Sequence, residues 1–151
     1  MRIIEKPAEL PSLVGQEIGI SPWVRIEQER IDSFAAATGD QQWIHVDVER
    51  ATRESPYHGT VAHGYLTLSL LPQLFRSTVR IDGLRFSVNY GLNRVRFPAP
   101  VMAGSNIRAR FCLSGFSPLE GGAQLEWQVE FECEGSAKPV CVATTLMRCY
   151  F

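Results

Sequence analysis

Between residues 123 and 133 the chain alternates without a break: Leu125, Trp127, Val129 and Phe131 are interleaved with Gln124, Glu126, Gln128, Glu130 and Glu132. Successive side chains of a strand point to opposite faces, so this spacing predicts a strand with one face on a core and the other in water. The same period runs through Leu84, Phe86, Val88 and Tyr90, through Val95 and Phe97, through Ile107, Ala109, Phe111 and Leu113, and through a last run over residues 140–150. Each reads as a half-buried strand. Pro98-Ala99-Pro100, Gly121-Gly122 and the stretches 115–118 and 135–139 supply the connections, and the strands are predicted to be antiparallel.

The first half follows a different period. Ile31, Phe34, Ala35 and Thr38 form one face of a helix that Gly39 stops, and Asp47 is placed to cap a short helix over residues 48–53. From His63 or Gly64 onward, Leu66, Leu68, Leu70, Leu71, Leu74 and Phe75 leave almost no polar side, so a helix there must be buried. Pro72 lacks an N–H and predicts a kink or a fresh helical start. One buried helix followed by four or five long strands implies an α+β domain, with a curved antiparallel sheet wrapped around a long central helix. A length of 151 residues and an apolar content of 45% suit a single domain over residues 1–151.

Charge narrows the partners. Fifteen Lys and Arg against sixteen Asp and Glu give a net charge of -1, which argues against a nucleic-acid surface. The most apolar segment, residues 65–75, is too short for a membrane span, and Glu5, Lys6, Pro7 and Glu9 interrupt any leader-like start. No close Cys pair marks a zinc or redox motif among Cys112, Cys133, Cys141 and Cys149. Reduced thiols and a cytoplasmic setting are the expectation.

The chemistry concentrates in residues 40–64, which hold all three histidines, His45, His58 and His63. Their spacing offers no pair at helical i, i+4 and no Cys lies nearby, so no metal and no cofactor are expected. Neither Ser55 nor Ser69 has the sequence setting of a catalytic serine. Asp40 and His45 are the better pair. A turn can bring both to one water, where a neutral imidazole takes a proton and a carboxyl kept protonated by burial gives one, the two steps that adding water to a double bond requires. The plainer alternative has Asp40 capping a turn and His45 bonded to backbone in the core. Gly64 favours the first reading, because a glycine opening a buried helix leaves an N–H free for an oxyanion and lets a ligand approach.

The runs FAAATGDQQWIHVD (residues 34–47), VAHGYLTLSLLP (61–72) and NYGLNRVRFPAPV (89–101) resemble the MaoC-like dehydratases, or (R)-specific enoyl-CoA hydratases, most closely their nodulation protein N-like (enoyl-CoA hydratase 1) branch. The resemblance implies a hotdog fold, the helix from Gly64 being the sausage and the later strands the bun. It places the family's Asp-x-x-x-x-His pair on Asp40 and His45, its His-Gly on His63 and Gly64, and its helix serine on Ser69. Many members have Asn-Pro inside the pair where this chain has Gln42-Trp43, so the loop lacks proline's fixed φ. The implied activity is reversible hydration of trans-2-enoyl thioesters, carried by CoA or acyl carrier protein, with Asp40, His45 and Gly64 catalytic. Ser69, Trp43, Tyr65 and His63 would contact substrate, the acyl chain passing Trp43, Tyr57 and Tyr65. A homodimer joining sheets is implied as well. A thioesterase of the same fold and a non-catalytic acyl-CoA-binding domain are the alternatives.

Overall fold

The alternating second half becomes a single antiparallel sheet. The computed structural model describes residues 1–151 and runs, in order, β1 (Arg2–Ile4), a 3₁₀ helix (Pro7–Leu13), β2 (Glu17–Ile20), β3 (Val24–Ile26), α1 (Gln28–Thr38), α2 (Trp43–Val46), α3 (Val48–Glu54), α4 (Gly64–Ser69), α5 (Leu71–Thr78), β4 (Val79–Ile81), β5 (Phe86–Arg96), β6 (Ser105–Leu119), β7 (Gly122–Cys133) and β8 (Cys141–Tyr150). Six strands lie in the order β2-β6-β7-β8-β5, with β3 also paired to β6. All of these pairings are antiparallel, as expected. A short parallel pair, β1 with β4, was not legible in the sequence.

The inward faces of β6, β7 and β8 carry the core. Phe111, Leu113, Leu125, Trp127 and Phe131 are fully or almost fully buried there. Leu66, Leu70 and Leu74 cover them from the helical side, and the Phe75 ring meets Phe111 and Trp127 edge-on at 5.4 and 5.0 Å. Each such side chain contributes roughly 1.5–3 kcal/mol when removed from water. The central helix is not continuous. It breaks at Leu70 into α4 and α5, and Pro72 falls in the first turn of α5, where no intrahelical donor is needed.

β5 departs from the expected half-buried strand, and register explains why. The inward residues of β8 are Cys141, Ala143, Thr145, Met147 and Cys149, whereas Phe86 pairs with Tyr150 and Val88 with Arg148. Phe86 and Val88 therefore face outward, and the Tyr90 ring lies under the Arg148 guanidinium at 3.3 Å. A bulge between Asn89 and Gly91 then turns Leu92 opposite Thr145, on the inner side. Phe86, Val88 and Tyr90 are each about half exposed, at 54%, 46% and 53%, on a strand at the end of the sheet.

Candidate active site

Two turns of backbone and one buried helix start bring Asp40, His45 and His63 together. Gly39 takes φ 79 and closes α1 by donating its N–H to the Ala35 carbonyl at 2.9 Å, a left-handed cap that turns the chain into Asp40. The Asp40 carboxylate accepts from the Gln42 N–H at 3.4 Å, so it anchors its own loop. Asp40 is exposed in the single chain, and the burial expected to keep its carboxyl protonated is absent.

His45 lies on α2 and is 8% exposed. Its Nδ1 is 2.6 Å from the Val61 carbonyl oxygen, which can only accept, so Nδ1 carries a proton and, in the neutral ring, the lone pair is on Nε2. The Val61 N–H returns a bond to the Ile44 carbonyl at 3.0 Å, and the Gln28 amide donates to the His45 carbonyl at 2.7 Å while accepting from the Thr60 hydroxyl at 2.5 Å. The imidazole is thus fixed from both sides of its own backbone. One ligand atom from each of Asp40, His45 and His63 lies within 4.8 Å of the others. Two hydrogen bonds of about 2.8 Å through a single water span such a gap.

His63, expected to touch substrate, is only 2% exposed. Its ring stacks on His45 with centroids 3.8 Å apart and planes at 27°, and its Nε2 lies 3.0 Å from the Asp40 carbonyl oxygen. This stack fits a metal poorly. Ring-nitrogen lone pairs lie in the ring planes, so stacked rings direct them side by side rather than toward one centre, and one nitrogen of each ring already faces a carbonyl. His58, the third histidine, stands apart on the surface at φ 56.

Gly64 opens α4, and its N–H has no partner within the protein. A Cβ there would sit 3.0 Å from the Phe97 ring, so the position is closed to side chains unless Phe97 moves. Beside it is a cleft of about 250 Å³ lined by Gly64, Thr67, Tyr57 and Phe97 among others. Tyr65 is 72% exposed and edge-on to Phe97 at 6.3 Å. Trp43 is half-buried under the Arg50 guanidinium at 4.3 Å. Ser69 lies apart from this cluster: its hydroxyl donates to the Leu66 carbonyl at 2.7 Å, and it lines a second cleft of about 390 Å³ with Asn89, Leu92 and Thr145. Neither Cys141 nor Cys149 competes as a nucleophile, since burial pushes the Cys141 thiol up to about 12 and Cys149 up to about 11. The supports of His45, namely Gln28, Thr60 and the Val61 carbonyl, were missed by sequence reasoning. Only the clustering of histidines pointed near them.

Comparison with known proteins identifies the family. The family described as MaoC like domain matches residues 9–131. The chain is 48% identical over 149 residues to 3-hydroxyacyl-thioester dehydratase Z of Mycobacterium tuberculosis, covering 98% of each. It is 46% identical over 139 residues to Nodulation protein N of Rhizobium leguminosarum bv. viciae, covering 90% of this chain and 86% of that one. Among solved structures, the (R)-hydratase from A. caviae involved in PHA biosynthesis superposes with a TM-score of 0.69 at 21% identity, over 89% of this chain and 94% of that one. That likeness establishes the hotdog fold. With the fold, the domain match and the long alignments in agreement, the chain belongs to the MaoC-like dehydratase family.

Proposed function

We propose that the protein is a hydro-lyase that adds water reversibly to trans-2-enoyl thioesters, giving (R)-3-hydroxyacyl thioesters. One observation carries the reading. The Asp40 carboxylate and a His45 ring nitrogen lie within 4.8 Å of each other, while the Val61 carbonyl assigns the proton of His45 to Nδ1 and leaves Nε2 able to accept. The 3-hydroxyacyl-thioester chemistry in the name of the Mycobacterium tuberculosis relative supports it.

In the hydration direction His45 Nε2 takes a proton from the shared water as its oxygen bonds to C3. The C2–C3 π electrons move toward the carbonyl, and the Gly64 N–H meets the charge that collects on the thioester oxygen. Asp40 delivers the proton to C2, and the proton held by His45 returns to Asp40 through the same short gap. The bound thioester supplies the cover at Asp40 that the single chain lacks. Dehydration retraces the path. The acyl chain lies between helix and sheet, where the cleft beside Ser69 offers apolar walls from Leu68, Leu71 and Leu92.

The working unit is a homodimer. Phe86, Val88 and Tyr90 place apolar area and unpaired strand edge at one end of the sheet, a surface that a second copy would cover by continuing the sheet. Incubation with short trans-2-enoyl-CoA tests the activity: loss of the conjugated absorbance without free thiol supports hydration. Thiol release would make the protein a thioesterase, and tight binding without turnover an acyl-CoA-binding domain.

A further inference from the structure

The role of His63 is set by what surrounds it. Its ring has no open face: His45 stacks on it at 3.8 Å and 27°, Phe34 lies tilted against it at 5.1 Å, and only 2% of the residue is exposed. Its Nε2 meets the Asp40 carbonyl oxygen at 3.0 Å, across 23 residues of sequence. A carbonyl oxygen only accepts, so the proton is on Nε2. Nδ1 is buried with no partner, and a second proton there would be an unpaired charge out of reach of water.

We infer that His63 is a positioning residue, held as the uncharged Nε2–H tautomer, that locks the Asp40 loop against the face of His45 and does not itself touch substrate. The inference rests on the hydratase reading for its kinetic consequence only. Two carbonyls, Val61 and Asp40, hold the stacked rings in opposite tautomers, Nδ1–H at His45 and Nε2–H at His63. When His45 takes a proton from water, its new charge faces an aromatic ring without charge instead of a second cation. The Nε2–H bond ties the main chain of Asp40 to that ring, so the carboxyl and the accepting nitrogen share one rigid reference. A smaller or aliphatic side chain at position 63 frees the loop, and a displacement near 1 Å is enough to cost about 100-fold in rate.

Three variants separate the contributions. His63→Ala removes both ring and donor, His63→Phe keeps the stack alone, and His63→Gln keeps a donor able to reach the Asp40 carbonyl. In protein shown to be folded by circular dichroism, His63→Ala is expected to lower kcat about 10- to 100-fold with KM nearly unchanged, and each of the other two to recover part of the loss. Wild-type kcat in folded His63→Ala, with only the melting temperature reduced, overturns the inference. So does a loss confined to KM, which would make His63 a substrate contact.

A second readout does not depend on turnover. Nitrogen-15 spectra of the histidine rings should show Nε2–H at His63 and Nδ1–H at His45, and the amides of Gly39, Asp40 and Gln41 should shift in His63→Phe far more than in His63→Gln. An Nδ1–H at His63 overturns the assignment. If the wild type hydrates no enoyl thioester while these spectra hold, the proposed activity fails and the positioning of Asp40 by His63 stands.

Discussion

The imidazole of His45 has two nitrogens, and the fold uses one of them. Binding Nδ1–H to the Val61 carbonyl at 2.6 Å leaves Nε2 as the nitrogen able to accept in the neutral ring, so the proton-accepting role proposed for His45 depends on a backbone oxygen sixteen residues away. Removing the imidazole in His45→Ala, or the acid in Asp40→Asn, is expected to lower kcat for enoyl-CoA hydration by roughly 10²- to 10⁴-fold, measured by loss of enoyl absorbance. Gly64→Val acts differently. Its Cβ would press on the Phe97 ring at 3.0 Å and narrow the approach to the free amide, so kcat should fall in a protein that still folds; unchanged kcat would remove Gly64 from the site. The proximity of Asp40 to His45 could be anticipated because their types and spacing are chemically unusual. The Val61 carbonyl and the Gln28 bridge were not, since a backbone oxygen has no sequence signature and Gln28 looks like any polar residue opening a helix. Burial misled the reading at Asp40, where a loop after a glycine cap projects into solvent.

At the scale of single elements, β7 and β5 show what period-two patterning can and cannot settle. In β7 the apolar residues do face the core, because charged partners occupy the other side: Glu132 accepts from Arg108 at 2.6 Å and from Arg110 at 2.8 Å, and Arg110 also reaches Glu17. Partial burial alone would raise the Glu132 carboxyl, but the bonds from Arg110 and Arg108 outweigh it and hold the group below its ordinary value of 4.5. A carboxyl lowered in the folded state binds fewer protons there than when unfolded, so its contribution is present above the ordinary carboxylate range and lost as pH falls through it. Thermal melts from pH 7 down to pH 3 should therefore show a gentler loss of stability in Glu132→Gln than in the wild type, with the variant less stable at pH 7 by about 1 kcal/mol or less. Identical slopes would contradict the pairing. In β5 the same alternation points outward, and only the register with β8 reveals it. Val88→Lys puts a charge in that outward row, and sedimentation should find it shifted from dimer toward monomer; a wild type that is monomeric at all concentrations would sink the proposed dimer.

For the molecule as a whole, the curved sheet and the broken central helix hold a helix start beside a loop that lies more than twenty residues earlier in the chain. The break was foreshadowed by Pro72, although the chain divides at Leu70 and keeps Pro72 inside the first turn of α5. What sequence could not show was how His63, just ahead of α4, reaches back 23 residues to the Asp40 backbone and ties that loop to the helix start. The geometry has a stereochemical consequence. One ligand atom each of Asp40 and His45 lie within 4.8 Å of each other, so in the proposed mechanism both act from the same side of a substrate's double bond. Hydration of a trans-2-enoyl-CoA in deuterium oxide, with the product resolved by NMR, tests this most directly. The expected product is a single diastereomer of the (R)-3-hydroxyacyl thioester, with deuterium at C2 and hydroxyl at C3 added to one face; addition to opposite faces, or a mixture at C2, would contradict a shared water between Asp40 and His45.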